Sequence, residues 1–224
     1  LFCLLWLFLK WKYLFVPLAV VLIGVNFIPR FIGLNSENDN IAEGSLRVMT
    51  YNLRNFQEGA QDDKSIAIRN KDSILSLVEK YAPDIVCLQE YASVKKSESC
   101  FHYIMVNKLG YKHFFAPDNM ANYVRGSVIY SKYDISRSGT LFPMDKEYYS
   151  MAYADINVKK QKVRIYNVHL DSYMLSEEEK KEVEDIKEGQ ITSEQTSKSV
   201  LKKLMQTNKK QAQEVRELSN VINE

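Results

Sequence analysis

From Leu46 onward, short apolar runs rich in β-branched residues alternate with polar breaks, which predicts strands joined by short connections. The clearest runs are Leu46-Arg47-Val48-Met49-Thr50-Tyr51-Asn52, Asp84-Ile85-Val86-Cys87-Leu88-Gln89-Glu90 and Val163-Arg164-Ile165-Tyr166-Asn167-Val168-His169-Leu170-Asp171. Each delivers a polar side chain at the end of a buried run: Asn52, Glu90 and His169. Such a group costs free energy unless something binds it, so strand tips of this kind build sites. An amide, a carboxylate and an imidazole at strand ends suit a hard divalent metal and a phosphate.

Between the first two runs, Lys64 to Tyr81 places Ile74, Leu75, Val78 and Tyr81 on one helical face, and Pro83 closes that helix. Phe101 to Leu109 predicts a short helix. Tyr111 to Ala116, Gly126 to Ser131, Ile135 to Leu141, Ser150 to Val158 and Lys162 to Val168 predict strands, the last two joined at a hairpin tip of Lys159-Lys160-Gln161. Tyr173 to Gly189 is acidic and lysine-rich with few apolar anchors, which predicts a solvated, mobile insertion. The final helix starts at a capping box of Thr192 and Gln195. Its stripe of Leu201, Leu204, Asn208, Ala212, Val215, Leu218 and Ile222 is expected to pack against a sheet. This order of elements predicts an α/β fold with a mixed sheet.

The N-terminus differs in kind. Leu1 to Leu9 is apolar, Lys10-Trp11-Lys12 interrupts, and Tyr13 to Ile28 is apolar again. With Phe31 to Leu34 this gives a span of about 20 residues, enough to cross a bilayer. Trp6, Trp11 and Tyr13 cluster around the lysines as an interfacial belt does. A signal peptide is the competing reading, but no small-x-small cleavage site precedes the domain. The preferred reading is a transmembrane helix or hairpin over 1–34 and a polar linker over 35–45, with the folded domain over 46–224. Lys10 and Lys12 mark their turn as cytoplasmic, which puts the domain on the extracytoplasmic side of the cell membrane.

Composition narrows the partners. The chain has 224 residues, with 30 Lys and Arg against 28 Asp and Glu, a net charge of +2. This balance argues against a dedicated nucleic-acid surface. Cys3, Cys87 and Cys100 form no framework spacing, and Cys87 lies inside a buried run as a small apolar residue.

The strand-tip motifs resemble those of the endonuclease/exonuclease/phosphatase family, the DNase I-like enzymes. Tyr51-Asn52 matches the end of that family's first strand, and Gln89-Glu90 matches the pair whose glutamate binds the metal. Asn167-Val168-His169-Leu170 matches the segment with a catalytic histidine, and Gly126 to Lys132 resembles a strand ending in Ser-Lys. The resemblance runs from about 46 to 224. It implies a four-layer αββα sandwich with the site where the strand ends meet.

The resemblance also implies a metal-dependent phosphoric ester hydrolase using Mg²⁺ or Mn²⁺. Its metal site would be Glu90 with Asn52, and its catalytic residues His169 and Asn52. The family's later Gly-Asp-x-Asn and Ser-Asp-His motifs do not occur here. The chain is therefore expected to be a fragment open at both ends, lacking the C-terminal part of the fold and inactive by itself.

Three function readings remain open. One is a membrane-anchored phosphodiesterase or nuclease acting on nucleic acid or nucleotides. Another is the same chemistry on a phospholipid or sugar phosphate at the bilayer surface. The third is a catalytically dead membrane-bound binding domain. A monomer is expected in each case.

Overall fold

In the computed structural model, which describes residues 15–25, 44–56, 64–141, 151–159, 161–170, 176–187 and 194–223, the β-branched runs pair into two sheets. The strands are β1 (Val48–Asn52), β2 (Ile85–Val94), β3 (His113–Phe115), β4 (Asp118–Asn119), β5 (Tyr123–Ser131), β6 (Ile135–Thr140), β7 (Ala152–Val158) and β8 (Gln161–Asn167). The helices are α1 (Phe15–Val25), α2 (Lys64–Tyr81), the single turn α3 (Phe101–Tyr103), α4 (Glu177–Lys187) and α5 (Glu194–Asn223). A π-helical turn, Ile104–Lys108, continues α3. The larger sheet has the order β1-β2-β5-β3 with β4 paired to β5, and the smaller has the order β6-β7-β8.

β1 and β2 run parallel, as α2 between them allows, and the other pairs are antiparallel. The two-residue period of β2 feeds two cores. Val86 and Leu88 point to the helical side, where Val78, Phe101 and Met105 meet Val124, Val128 and Tyr130. Ile85 and Cys87 point the other way and pack with Ile129 against Ala152, Ala154 and Ile156 of the second sheet. The fold is thus mixed α/β, with two sheets joined face to face. Burial pushes the Cys87 thiol up to about 12, consistent with its reading as an inert apolar residue.

The ladder between β2 and β5 breaks at one place. Leu88 pairs with Val128 and Tyr91 with Gly126, so Gln89 and Glu90 together oppose Ser127. This is a β-bulge, and Glu90 takes the left-handed conformation with φ 47°. The extra residue lets Tyr91 return to the helical face that Leu88 occupies. Behind it, the Tyr91 and Tyr130 hydroxyls lie 2.9 Å apart, and Tyr130 Oη lies 2.7 Å from His102 Nδ1. Burial, helped by the charge of Lys95, pushes His102 down to about 4, so it stays neutral within this network.

Three expectations change. Of the three runs read as buried strands, β2 is buried, whereas β1 is mostly exposed and β8 is buried only at Asn167, because among the described residues β1 is the edge strand of its sheet and β8 the edge strand of the other. The segment read as a mobile insertion contains α4, and the reason is a capping box the composition hid. The Ser176 amide donates to Glu179 Oε2 at 2.7 Å, and the Glu179 amide donates to Ser176 Oγ at 3.2 Å. Lys203 of α5 then reaches Glu179 Oε2 at 2.8 Å.

The apolar stripe of α5 does not pack against a sheet. Val200 is buried at 2% exposure, whereas Leu201, Val215 and Ile222 stand 58%, 48% and 51% exposed. The helical period was read correctly, but periodicity says nothing about what lies opposite the face. The Thr192 cap lies outside the described residues.

Residues 1–45 and 46–224 form separate units. In the first, α1 has 11 residues, and no described helix is long and apolar enough to cross a membrane. The rest of the expected span over 1–34 lies outside the described residues.

Candidate functional site

Asn52 is the last residue of β1 and Glu90 the protruding residue of the bulge, while His169 follows β8 by two residues. The three side chains, from three strands in two sheets, meet in a triangle. Asn52 Nδ2 donates to Glu90 Oε1 at 2.8 Å and lies 3.2 Å from His169 Nε2, which is itself 3.2 Å from Glu90 Oε1. The His169 and Glu90 side chains are 11% and 26% exposed and Asn52 is exposed, so the cluster is reachable from solvent.

The turn after β1 fixes Asn52. Arg54, Asn55 and Phe56 all have positive φ, at 44°, 52° and 63°, held by the buried side chains of Leu53 and Phe56. Within that turn the Arg54 amide donates to Asn52 Oδ1 at 3.0 Å, and the Leu53 amide donates to the Gln89 carbonyl at 3.0 Å. With its oxygen engaged by a backbone N–H, Asn52 presents its nitrogen to Glu90. That orientation suits a bracket for the carboxylate. Beside Asn52 opens a cleft of about 220 Å³ lined by Tyr51, Arg54, Asn70 and Ser73, room enough for part of a substrate.

Among the described residues no group of three or more His, Cys, Asp or Glu gathers that could enclose a metal ion. Glu90 supplies one carboxylate at the triangle. Mg²⁺ characteristically takes one or two carboxylates and leaves the rest of its shell to water and phosphate oxygens. The donor set therefore fits a cation shared with substrate and does not fit a caged structural ion.

All three sequence-derived site residues come together. Asp171, two residues after His169, lies outside the described residues. Arg125 pairs with Asp118 at 3.2 Å. His113 lies 3.7 Å from Asp134, and His102 belongs to the tyrosine network in the core.

Two residues drew no role from the sequence. Gln89 and Asn167 are buried polar side chains directly behind the triangle, and Gln89 Nε2 donates to Asn167 Oδ1 at 2.6 Å. The available signal was their place in the interior of apolar strands, where a carboxamide needs partners.

The profile of a family described as Endonuclease/Exonuclease/phosphatase matches residues 49–196. No curated protein sequence matches the chain. Among solved structures it is similar to a humanized D. rerio TDP2, at 16% identity over 65% of this chain and 54% of that one, with a TM-score of 0.43. It is also similar to a truncated Caenorhabditis elegans TDP2, at 20% identity over 61% of this chain and 49% of that one (TM-score 0.42). A third is an endonuclease/exonuclease/phosphatase from Beutenbergia cavernae DSM 12333, at 20% identity over 60% and 41% (TM-score 0.39). The chain spans about half the length of these structures or less.

Proposed function

The chain belongs to the endonuclease/exonuclease/phosphatase family, and from that premise we propose that it is a divalent-metal-dependent phosphoesterase that hydrolyses phosphodiester bonds. The observation that carries this reading is the triangle of Asn52, Glu90 and His169, in which an amide, a carboxylate and an imidazole converge from separate strands. Within the αββα sandwich of this reading, the triangle lies at the edge where strand ends meet.

Glu90 would hold Mg²⁺ or Mn²⁺ together with oxygens of the substrate phosphate. When bound, the cation supplies Lewis-acid stabilisation of the charge that builds up on the phosphoryl oxygens. Asn52 keeps the carboxylate oriented by donating from Nδ2. His169 presents Nε2, where an imidazole donates to a phosphoryl oxygen or delivers a proton to the leaving oxygen as the bond from phosphorus to that oxygen breaks. Water provides the new oxygen on phosphorus.

A second reading keeps this chemistry and places it on a phospholipid or sugar phosphate at a membrane. It is favoured by the apolar sequence of 1–34 and by α1, whose Val20, Leu22 and Ile23 are exposed. In that reading the N-terminal unit anchors the chain in the cell membrane and the domain faces the extracytoplasmic side.

The test is hydrolysis of bis-p-nitrophenyl phosphate by the full-length protein with Mg²⁺, Mn²⁺ or EDTA, beside Glu90→Ala and His169→Ala. Metal-dependent turnover that EDTA abolishes is expected, with each variant reduced by about 10²–10⁴-fold. A panel of DNA, RNA and phospholipid vesicles then separates the two substrate classes. A folded protein inactive on everything would leave only the binding-domain role.

A further inference from the structure

We propose that Asn167 and Gln89 are positioning residues, forming an amide relay that sets the distance between Glu90 and His169; this deepens the phosphoesterase reading and rests on it. Both hydrogens of Asn167 Nδ2 are used, one on the Leu88 carbonyl and one on the Val128 carbonyl, each at 3.0 Å. Those carbonyls belong to the last paired residues of β2 and β5 before the bulge. Asn167 Oδ1 accepts from Gln89 Nε2 at 2.6 Å, and Gln89 Nε2 donates again to Thr50 Oγ1 at 3.0 Å. The four donations fix the orientation of both carboxamides, because flipping either would set nitrogen against nitrogen or oxygen against oxygen.

The placement of the relay ties it to the site. Thr50 stands two residues before Asn52, Gln89 one before Glu90, and Asn167 two before His169. Every member of the triangle thus has a relay member one or two residues before it in the chain. The relay crosses from β8 to the larger sheet at the bulge, where the β2–β5 ladder is broken and register is least determined by the backbone itself. An apolar side chain at position 167 would pack between the sheets as well. It would leave the bulge free to shift, and with it the 3.2 Å separation of Glu90 and His169. Buried networks whose amide hydrogens are all engaged specify one arrangement in this way.

The test is read first by nuclear magnetic resonance, which needs neither metal nor substrate. In the parent protein, Glu90→Gln should shift the His169 Nε2 resonance, because the two side chains touch. In an Asn167→Ala background that response should be lost, while cooperative unfolding is retained. Kinetically, Asn167→Ala should lower kcat by about 100-fold, the usual consequence of a displacement near 1 Å, and leave KM within about threefold. Should Asn167→Ala fail to fold, Gln89→Met, which breaks the relay but leaves Asn167 on its two carbonyls, is read in the same way. A folded variant that retains the His169 response overturns the inference, whatever its rate, and so does absence of the response in the parent. Loss of the response in a protein that hydrolyses nothing supports the relay and overturns the phosphoesterase reading alone.

Discussion

Glu90 holds a backbone conformation that residues with a side chain adopt at a cost of roughly 1–2 kcal/mol, and it holds it in the middle of a sheet. The cost is offset by what surrounds it: Asn52 on its carboxylate, and the buried Tyr91 that follows it into the core. Strain of this kind gathers where geometry serves a task. Both Glu90→Gly and Glu90→Ala remove the carboxylate, but only glycine tolerates the positive φ. The glycine variant is expected to be more stable to denaturant than the alanine variant, by about 1 kcal/mol; equal stabilities would show that the conformation is unstrained. The convergence of Asn52, Glu90 and His169 was legible from the motifs they sit in, but the buried run expected before each is found only in β2, ahead of Glu90; β1 is mostly exposed and β8 is buried only at Asn167. The bulge was not, since Ile85 to Glu90 reads as one unbroken strand and a surplus residue leaves no mark on composition. Gln89 and Asn167 were obscured for the opposite reason: a carboxamide in a strand reads as filler until its partners on other strands are known.

At the scale of elements, the sequence was read best where one segment determines its own structure. Over Lys64–Tyr81 the helical face expected from Ile74, Leu75, Val78 and Tyr81 is buried at the first three, while Tyr81, at the helix end, is exposed. The runs before and after it pair in register as β1 and β2, with Val48 opposite Ile85 and Asn52 opposite Gln89. Reading failed where the outcome depends on a neighbour. The short β4 exists only because β5 offers it an edge, and α4 depends on a cap and on Lys203 of α5. In α5 the same dependence separates adjacent residues. Val200→Ala should destabilise the protein by about 1–3 kcal/mol, as expected for a buried aliphatic side chain, while Leu201→Ala should stay within about 0.5 kcal/mol. Chemical denaturation of the two variants decides this, and similar losses at both positions would mean that the Leu201 face is covered in solution.

At the scale of the whole molecule, the folded chemistry belongs to one unit and the apolar N-terminus to another. The two cores, one under the helices and one between the sheets, both lie within 46–224. A chain beginning at Leu46 should therefore keep the thermal midpoint of the longer chain within about 2 °C, a shift equivalent to less than about 1 kcal/mol for a domain of this size. It should also move from the membrane fraction to the soluble fraction of lysed cells; a soluble longer chain would remove the anchor from the proposal.

The bulge gives the molecule an unusual genetic exposure. Because Gln89 and Glu90 share one partner position opposite Ser127, removal of the Glu90 codon restores one-for-one pairing, and Tyr91 and every later side chain of β2 stay on their present faces. Removal of almost any other single codon within β2 would turn part of the strand inside out. The carboxylate on which the proposed chemistry depends thus sits on the residue the sheet can most easily lose. If the proposed function holds, a single in-frame deletion separates an active protein from a well-formed relative that lacks the activity.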